Sequence, residues 1–271
     1  MTLQSLLDLA KNSFTSEGAA EFFVQGITNK TRLEIYMDKT PVLQKTINEF
    51  QEFLSIKNPD MPVQYLIHKA YFLSYELYVD KRVMIPRFET EDLVMKTADR
   101  LRARSSESIA ILDVGTGSGA IAIALTDLFP RAKVVATDIS VGALEVARVN
   151  IIKCNFADSI KLLQTDLFSN IHNQQFDLII SNPPYIPEDE IDNLNPTVKN
   201  YEPHQALGGG KNGFEIIDRI IKETNEWLSP AGLLALEIDP RQAELIKTKV
   251  PWAEFEKDNQ GSIRYVFIKY E

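Results

Sequence analysis

Short apolar strands alternate with helices over the second part of the chain, and this alternation constrains the fold more than any other feature. Continuous apolar runs are typical of strands that are buried on both faces of a parallel sheet. The candidate strands are Ile109–Val114, Lys133–Asp138, Ile160–Leu163, Phe176–Ile180, Leu233–Glu237 and Tyr265–Ile268. The candidate helices are Ala120–Leu128, the segment from the cap Ser140 to Ile151, Phe214–Leu228 and Gln242–Lys249. Since parallel strands need right-handed crossovers, the pattern predicts an α/β fold with helices on both faces of the sheet.

The first 60 or so residues show only the helical spacing of apolar side chains, for example at Leu3, Leu6 and Leu7. Thr40-Pro41 predicts the start of a helix, because a hydroxyl cap precedes a proline at the first helical position. The proline-rich run 58–62 predicts the end of that helix.

Three segments follow from these patterns. Residues 1–68 are predicted to form a small helical domain that recognises a partner, and residues 69–84 a hairpin linker, because aromatic residues alternate there. Residues 85–271 are predicted to form the sheet domain.

Composition and charge narrow the setting. Cys154 is the only cysteine, so no disulfide can form within the chain and a reducing compartment is expected. No apolar run is long enough to cross a membrane, and Met1–Gln4 lacks the basic start of a signal peptide. The net charge of −9 argues against a broad nucleic-acid surface. The histidines His68, His172 and His204 lie far apart in sequence, so no metal site is predicted. We therefore expect a cytoplasmic protein without a membrane or nucleic-acid partner.

A glycine-rich turn, Gly115–Gly119, separates the first strand from its helix. Glycines there permit a tight turn and a close approach to a ligand, and with Ala120 the turn also fits a dinucleotide cofactor. Three carboxylates favour S-adenosylmethionine. Asp113 could accept from the cofactor's ammonium group, and Asp138, which ends the second strand, could bind both ribose hydroxyls. Asp166 could meet the adenine, although helix capping accounts for it equally well.

The segment Ser181–Tyr185 (Ser-Asn-Pro-Pro-Tyr) follows the fourth strand. Successive prolines cannot continue a strand, so the chain must leave the sheet at its carboxyl edge, where α/β sheets bind ligands. The carbonyls of Asn182 and Pro183 and the ring of Tyr185 suit a planar NH2 group, of adenine, cytosine or a carboxamide. A nicotinamide enzyme has no use for such a loop. The candidate catalytic residues are Asn182, Pro183 and Tyr185, and the candidate substrate-binding residues are these three with Pro184. The candidate cofactor-binding residues are Asp113, Gly115, Thr116, Gly117, Ser118, Gly119, Asp138, Asp166, Leu167 and Asn182.

With these motifs the sequence resembles class I S-adenosylmethionine-dependent methyltransferases, and more narrowly the protein-(glutamine-N5) methyltransferases of peptide chain release factors, the HemK/PrmC family. The resemblance covers nearly the whole chain. The segments that carry it are Pro62–Leu66, Ile85–Glu91, Gly115–Gly119, Asn182–Tyr185, Tyr201–Pro203, Ala206–Gly210, Asn212-Gly213, Gly261 and Arg264.

The resemblance implies a Rossmann-like sheet that is mostly parallel with an antiparallel last strand. It implies a monomer that uses S-adenosylmethionine, releases S-adenosylhomocysteine and methylates the glutamine of a Gly-Gly-Gln loop. It also implies that Asn182 and Pro183 accept from the amide NH2 group and that Tyr185 packs on the amide plane.

Some positions depart from the family pattern. Members usually have proline where Phe88 stands, near the cofactor lid, and glycine where His68, Ser74 and Asp239 stand. The acidic run Glu188–Asp192 is expected to be a solvated, mobile lid, or to guide a basic partner loop.

Four other functions stay open at this point. The acceptor could be a glutamine of a ribosomal protein or, against the acidic balance, an adenine N6 of DNA. The chain could also be a cofactor-binding scaffold without activity, or a nicotinamide oxidoreductase.

Overall fold

A computed structural model of the chain describes residues 1–56, 58, 60–105 and 107–270. Pro59 of the proline-rich run and Glu271 at the end of the third predicted segment lie outside the described residues. The chain divides into two compact units, one formed by residues 1–69 with 196–201, the other by residues 70–195 with the described residues from 202 onward.

The first unit is helical. Its helices are α1 (Leu3–Lys11), α2 (Glu17–Thr28), α3 (Arg32–Met37), α4 (Gln44–Ile56) and α5 (Val63–Ile67), and the later segment Pro196–Lys199 forms a single helical turn. Phe23 lies at the centre of the core, with its ring centroid 4.9 Å from that of Phe14 and 5.5 Å from that of Phe50. Side-chain caps at Thr2 and Ser16 fix the starts of α1 and α2.

The predicted helix start at Thr40-Pro41 is wrong, because α4 begins only at Gln44. The Thr40 hydroxyl donates to Asp38 Oδ1 at 2.5 Å instead of capping a helix. Pro41 forms an isolated antiparallel bridge with Thr2. The helix-start pattern fails here because Asp38 offers the Thr40 hydroxyl an acceptor and Thr2, distant in sequence, pairs with Pro41.

The second unit contains a two-stranded hairpin and, within the described residues, a seven-stranded sheet. The hairpin strands are β1 (Ala70–Phe72) and β2 (Tyr75–Leu77), and the sheet strands are β3 (Ala110–Val114), β4 (Lys133–Asp138), β5 (Ile160–Gln164), β6 (Phe176–Ser181), β7 (Leu228–Glu237), β8 (Glu254–Lys257) and β9 (Ile263–Lys269). The sheet order is β5-β4-β3-β6-β7-β9-β8. Strands β3 to β7 are parallel, whereas β9 is antiparallel to both of its neighbours. The predicted mostly parallel sheet with an antiparallel last strand is confirmed.

Helices cover both faces of this sheet. They are α6 (Phe88–Arg100), α7 (Ala120–Leu128), α8 (Val141–Lys153), α10 (Glu215–Thr224) and α11 (Ala243–Lys249), whereas the turn Pro196–Lys199, numbered α9, belongs to the first unit. The apolar sides of α6, α7 and α8 pack on one face, and those of α10 and α11 pack on the other. The sheet interior is therefore sealed from water, as a parallel sheet requires.

Two strand assignments differ from the sequence prediction. Strand β8 was not predicted, because Glu254–Lys257 is mostly charged; it is an edge strand, and Glu256 pairs with Lys96 at 2.9 Å. The predicted helix to Leu228 ends instead at Thr224, and Leu228 opens β7 opposite Phe176 of β6.

The residues that replace family glycines are accommodated differently. His68 ends α5 in the left-handed conformation, with φ of 54°, where glycine carries no steric cost. In the hairpin turn it is Leu73, not Ser74, that takes a positive φ, of 51°. Asp239 has an ordinary φ of −74° and caps a short 3-10 helix through Arg241 N–H.

Candidate active site

A cavity of about 350 Å³ lies at the carboxyl edge of the sheet in the second unit. Its wall comes from the segments that follow β3, β4, β5 and β6, and from the residues before and at the start of α6. The volume is in the range of about 300–1,000 Å³ that small-molecule and cofactor sites occupy. Of the predicted site residues, all but Asp113, Gly119 and Tyr185 line this cavity.

The glycine turn after β3 forms the floor of the cavity. Gly115 and Gly117 have φ values of 72° and 55°, a region that residues with a Cβ rarely adopt. A Cβ at either position would meet no protein atom within 4 Å, so these glycines also leave open space on the cavity side. The turn is held by hydrogen bonds from Thr116 N to Thr137 O, at 2.8 Å, and from Gly117 N to Asp138 Oδ2, at 2.9 Å.

Asp113 lies beneath this turn and not on the cavity wall. Its side chain is fully buried, and Oδ2 accepts from the Thr116 hydroxyl at 2.6 Å. Burial raises the pKa of Asp113 to about 7. Its second oxygen, Oδ1, is buried and has no hydrogen-bond partner of good geometry among the described residues. The structure therefore assigns Asp113 to the support of the turn.

Asp138, at the end of β4, lines the cavity. Its two oxygens accept from Gly117 N and from Ser140 N, each at 2.9 Å. Burial raises the pKa of Asp138, and these backbone donors oppose that rise. A carboxylate has about four acceptor positions, so Asp138 can still accept from a hydroxyl group of a ligand.

Asp166 and Leu167 follow β5 and line the same cavity. The side chain of Asp166 forms two hydrogen bonds with Arg219 of α10, at 3.1 and 3.2 Å. Residues 167–170 form turns, so Asp166 does not cap a helix. Leu167 has a positive φ of 48°, which makes the backbone bend sharply beside the cavity.

The Asn-Pro-Pro-Tyr loop follows β6, the sheet neighbour of β3, and its residues Asn182, Pro183 and Pro184 line the same cavity as the glycine turn. Asn182 Nδ2 donates to the hydroxyl of Thr90, in the first turn of α6, at 2.8 Å. The Thr90 hydroxyl in turn donates to Glu237 Oε2, at the end of β7, at 2.7 Å. Within the described part of the chain no donor bonds to the Asn182 carbonyl oxygen, which is not a buried atom.

Tyr185 is turned away from the cavity. Its hydroxyl donates to Glu237 Oε1 at 3.3 Å, and its ring packs against the apolar layer under α10 and α11. The Tyr185 carbonyl accepts from Gln242 Nε2 at 3.3 Å. Because a buried carboxylate needs donors, the structure places Tyr185 as the anchor of the loop, and not against an acceptor amide as the sequence predicted.

Two ion pairs hold segments near the cavity. The acidic run lies in a 3-10 helix, Glu188–Asn193, where Glu190 forms two hydrogen bonds with Arg241, at 2.7 and 3.1 Å. Arg87 pairs with Glu202, whose carboxyl group is buried and has its pKa raised by that burial.

The arrangement fits S-adenosylmethionine. The glycine turn leaves open space beside Gly115 and Gly117, Asp138 lines the cavity with a carboxylate that can accept from ribose hydroxyls, and Asp166 and Leu167 line it after β5.

Sequence reasoning did not identify Thr90, Asn150, Arg219 or Glu237. Asn150 of α8 is fully buried, accepts from Tyr78 N at 2.6 Å and donates to Ser118 O at 2.8 Å, which joins the end of the hairpin to the glycine turn. Polar residues in otherwise apolar strand and helix faces were the available signal for Glu237 and Asn150. Nothing in the sequence links Arg219 to Asp166.

The described residues include no helix able to span a membrane. Over the same residues no group of three or more His, Cys, Asp or Glu side chains is arranged to hold a metal ion.

Comparison with known proteins places the chain among methyltransferases. The family model described as the methyltransferase small domain matches residues 93–197. The release factor glutamine methyltransferase of Rhodopirellula baltica is 37% identical, over 91% of this chain and 87% of that protein. The ribosomal protein uL3 glutamine methyltransferase of Francisella tularensis is 34% identical, over 78% of this chain and 69% of that protein.

The solved structures include a ribosomal protein L11 methylase from Lactobacillus delbrueckii subsp. bulgaricus with the same fold. It superposes with a TM-score of 0.50 and 23% identity, over 68% of this chain and 81% of that chain. From the sheet, the cavity lined by the glycine turn and the Asn-Pro-Pro loop, and the 37% identity over most of a relative, we conclude that the chain belongs to the family of the release factor glutamine methyltransferases.

Proposed function

We propose that this protein transfers a methyl group from S-adenosylmethionine to the side-chain amide nitrogen, N5, of the glutamine in the Gly-Gly-Gln motif of peptide chain release factors, and so modulates translation termination. The observation that carries the proposal is the Asn182 carboxamide, which lines the same cavity as the glycine turn and has its NH2 group bound to Thr90. Its carbonyl oxygen is thereby left for an NH2 group of the acceptor.

Asn182 and Pro183 act by orientation. An amide nitrogen is a poor nucleophile, because its lone pair is delocalised into the carbonyl group. Two fixed acceptors, Asn182 Oδ1 and the Pro183 carbonyl, hold both N–H groups and stabilise positive charge as it develops on the nitrogen. Positioning of this kind can lower a barrier by roughly 7–11 kcal/mol. The nitrogen becomes acidic only after transfer, so no base is assigned before that step.

The remaining predicted residues hold the cofactor. S-adenosylmethionine, when bound, supplies an electrophilic methyl group on a cationic sulfur. Gly115, Thr116, Gly117 and Ser118 border its amino-acid end, Asp138 accepts from ribose hydroxyls, and Asp166 with Leu167 borders the adenine. Gly119 and Asp113 support the turn from behind, and Pro184 and Tyr185 fix the loop.

We assign partner recognition to the helical domain over residues 1–68, with the hairpin 69–84 as linker and residues 85–271 as the methyltransferase domain. Support comes from large apolar side chains that the first unit leaves exposed, with Leu33 68%, Met37 68% and Leu43 75% exposed. Replacing Leu33 and Met37 together by glutamine should raise KM for the release factor and leave the cofactor Kd unchanged. An unchanged KM would contradict the assignment.

The direct test is incubation with labelled S-adenosylmethionine and a purified release factor, followed by mass mapping of the methylated peptide. Label is expected on the glutamine of the Gly-Gly-Gln loop and should be absent when that glutamine is replaced by alanine. Label elsewhere in the release factor, or none, contradicts the proposal.

A ribosomal-protein glutamine is the second candidate acceptor, and it is favoured by the 34% identity to the uL3 enzyme. Parallel reactions with ribosomal protein uL3 and with duplex DNA separate the candidates, because only one acceptor should give turnover at low micromolar concentration. The net charge of −9 disfavours DNA. We further propose that the enzyme is a cytoplasmic monomer, which sedimentation and fractionation can check.

A further inference from the structure

Three residues from separate parts of the second unit form one chain of hydrogen bonds behind the active-site loop. Asn182 follows β6, Thr90 lies in α6 and Glu237 ends β7. Asn182 Nδ2 lies 2.8 Å from Thr90 Oγ1, which lies 2.7 Å from Glu237 Oε2. Thr90 and Glu237 are only 5% and 2% exposed, so water has little access to these two hydrogen bonds.

The direction of these hydrogen bonds is set by the chemistry of the last group. An ionised carboxylate only accepts, and a hydroxyl group has a single proton. With Glu237 ionised, the Thr90 proton must go to Glu237, and Thr90 can then only accept. Asn182 must therefore present its NH2 group to Thr90, which turns its carbonyl oxygen to the opposite side.

We propose that Glu237, acting through Thr90, is a positioning residue that fixes which end of the Asn182 carboxamide meets the acceptor amide. The proposal rests on the function proposed above, in which the Asn182 carbonyl oxygen accepts from the glutamine NH2 group. The Tyr185 hydroxyl, 3.3 Å from Glu237 Oε1, ties the other end of the loop to the same carboxyl group.

Protonation of Glu237 would remove the constraint on the direction of the hydrogen bonds from Asn182 to Thr90 and from Thr90 to Glu237. A neutral carboxyl group can donate to Thr90, whose own proton is then free to bond to the carbonyl oxygen of a flipped Asn182. The flipped carboxamide would present its NH2 group to the NH2 group of the substrate glutamine. Both groups are hydrogen-bond donors, so no hydrogen bond could form between them.

Groups from several elements face Glu237 and tune its charge. Thr90 and Tyr185 donate to it, and Arg264 of β9 favours the ionised form, whereas Glu89 of α6 opposes it. Tyr265 of β9 also interacts electrostatically with it. Burial is the largest influence and raises the pKa of Glu237 to about 7, so its ionisation is expected to change near neutral pH.

The first test compares Thr90→Val, which keeps the shape of the side chain but removes the hydroxyl, with Thr90→Ser, which keeps the hydroxyl. Thr90→Val should slow single-turnover methyl transfer about 10- to 100-fold, while cofactor Kd and KM for the release factor change little. Thr90→Ser should restore most of the rate. An equal loss of transfer rate in the two variants, or a normal rate in a folded Thr90→Val protein, would overturn the proposal that Glu237 positions Asn182 through Thr90.

A second measurement needs no methyl-acceptor protein. It therefore tests the positioning of Asn182 by Thr90 and Glu237 separately from the proposed function. In asparagine-labelled protein the Asn182 side-chain amide signals, assigned by their loss in Asn182→Ala, should shift in Thr90→Val and return in Thr90→Ser. Unchanged signals in both variants would refute the hydrogen bond to Thr90. A shift in a protein that methylates no release factor would instead refute only the proposed function.

The third test is the pH profile of the single-turnover rate. The wild-type rate should fall as pH drops from about 8 to 6, approaching tenfold per pH unit below the pKa of Glu237. Glu237→Gln should be slower than wild type and lack this fall, because its side chain does not titrate. A fall that persists unchanged in Glu237→Gln, or a flat wild-type profile, would overturn control by Glu237.

Discussion

The glycine turn and the Asn-Pro-Pro-Tyr loop both line the cavity, and each is supported by a buried carboxyl group that accepts from a threonine. Under the glycine turn, Thr116 donates to Asp113 at 2.6 Å, and behind the Asn-Pro-Pro-Tyr loop, Thr90 donates to Glu237 at 2.7 Å. Burial raises the pKa of each carboxyl group to about 7. The two pairs differ in sequence separation. Asp113 and Thr116 are three residues apart, whereas Thr90 and Glu237 are separated by most of the domain.

This difference indicates how each loop does its work. The glycine turn holds its shape by positive φ values, by the hydrogen bond from Thr116 to Asp113, and by hydrogen bonds to the end of β4, the next strand along the chain. The Asn-Pro-Pro-Tyr loop has a stiff backbone, but the orientation of the Asn182 carboxamide depends on α6 and β7. Cofactor binding should therefore respond to local changes in the turn, and methyl transfer to changes far away in sequence.

The largest effect is expected from Asn182→Ala, which removes the acceptor on the loop side. Methyl transfer should fall by roughly 10²–10³-fold or more, because an acceptor aimed at developing charge is lost. The cofactor Kd, measured by calorimetry, should stay close to the wild-type value. Asn225→Ala, at an exposed asparagine after α10, is the matched control and should change neither quantity. Near-normal transfer by Asn182→Ala would remove the contrast between the loops.

Asp138→Ala tests the turn side, and its effect should be on binding. Loss of charge-assisted hydrogen bonds, worth about 1.5–3 kcal/mol, should weaken cofactor binding by about one to two orders of magnitude. The exposed Asp158, before β5, provides the control Asp158→Ala, for which no change is expected. An unchanged Kd in Asp138→Ala would reject the ribose contact.

Gly115→Ala tests whether the turn depends on backbone conformation alone. A Cβ at φ of 72° should lower the free energy of unfolding by about 1–2 kcal/mol, although it would touch no protein atom. Gly18→Ala, in α2 at an ordinary φ and equally uncrowded, should instead be neutral or stabilising by up to about 1 kcal/mol. Denaturant unfolding of the two variants measures both values, and equal effects would show that conformation is not the determinant.

The last prediction concerns the pH dependence of stability. The pKa of Asp113 rises from 3.8, and that of Glu237 from 4.5, to about 7 in the folded chain. Between these limits the folded state binds more protons than the unfolded state, so stability is highest below about pH 4 from this source and is lost as pH rises towards 7. Asp113→Asn and Glu237→Gln should each reduce this slope, by no more than about 1.4 kcal/mol per pH unit. Unfolding curves at several pH values check this, and an unaltered slope in both variants would contradict the raised pKa values.

Local patterns predicted much of the fold and of the cavity. Helix α7 and strand β4 have the predicted bounds, since continuous apolar runs between turn residues leave few alternatives. Features that depend on distant partners were missed. The charged edge strand β8 gave no apolar signal, and the Thr40-Pro41 cap signal failed because Asp38 and Thr2 compete for those residues.

What the sequence by itself determined is the backbone path at the cavity: a glycine turn after β3 and an abrupt exit at Asn182-Pro183, because both follow from φ preferences that act within a few residues. Only the tertiary structure decided which way the side chains point. Tyr185 turned to Glu237, Asp166 paired with Arg219, and Asn182 bonded to Thr90, because buried polar groups take the partners that packing brings to them.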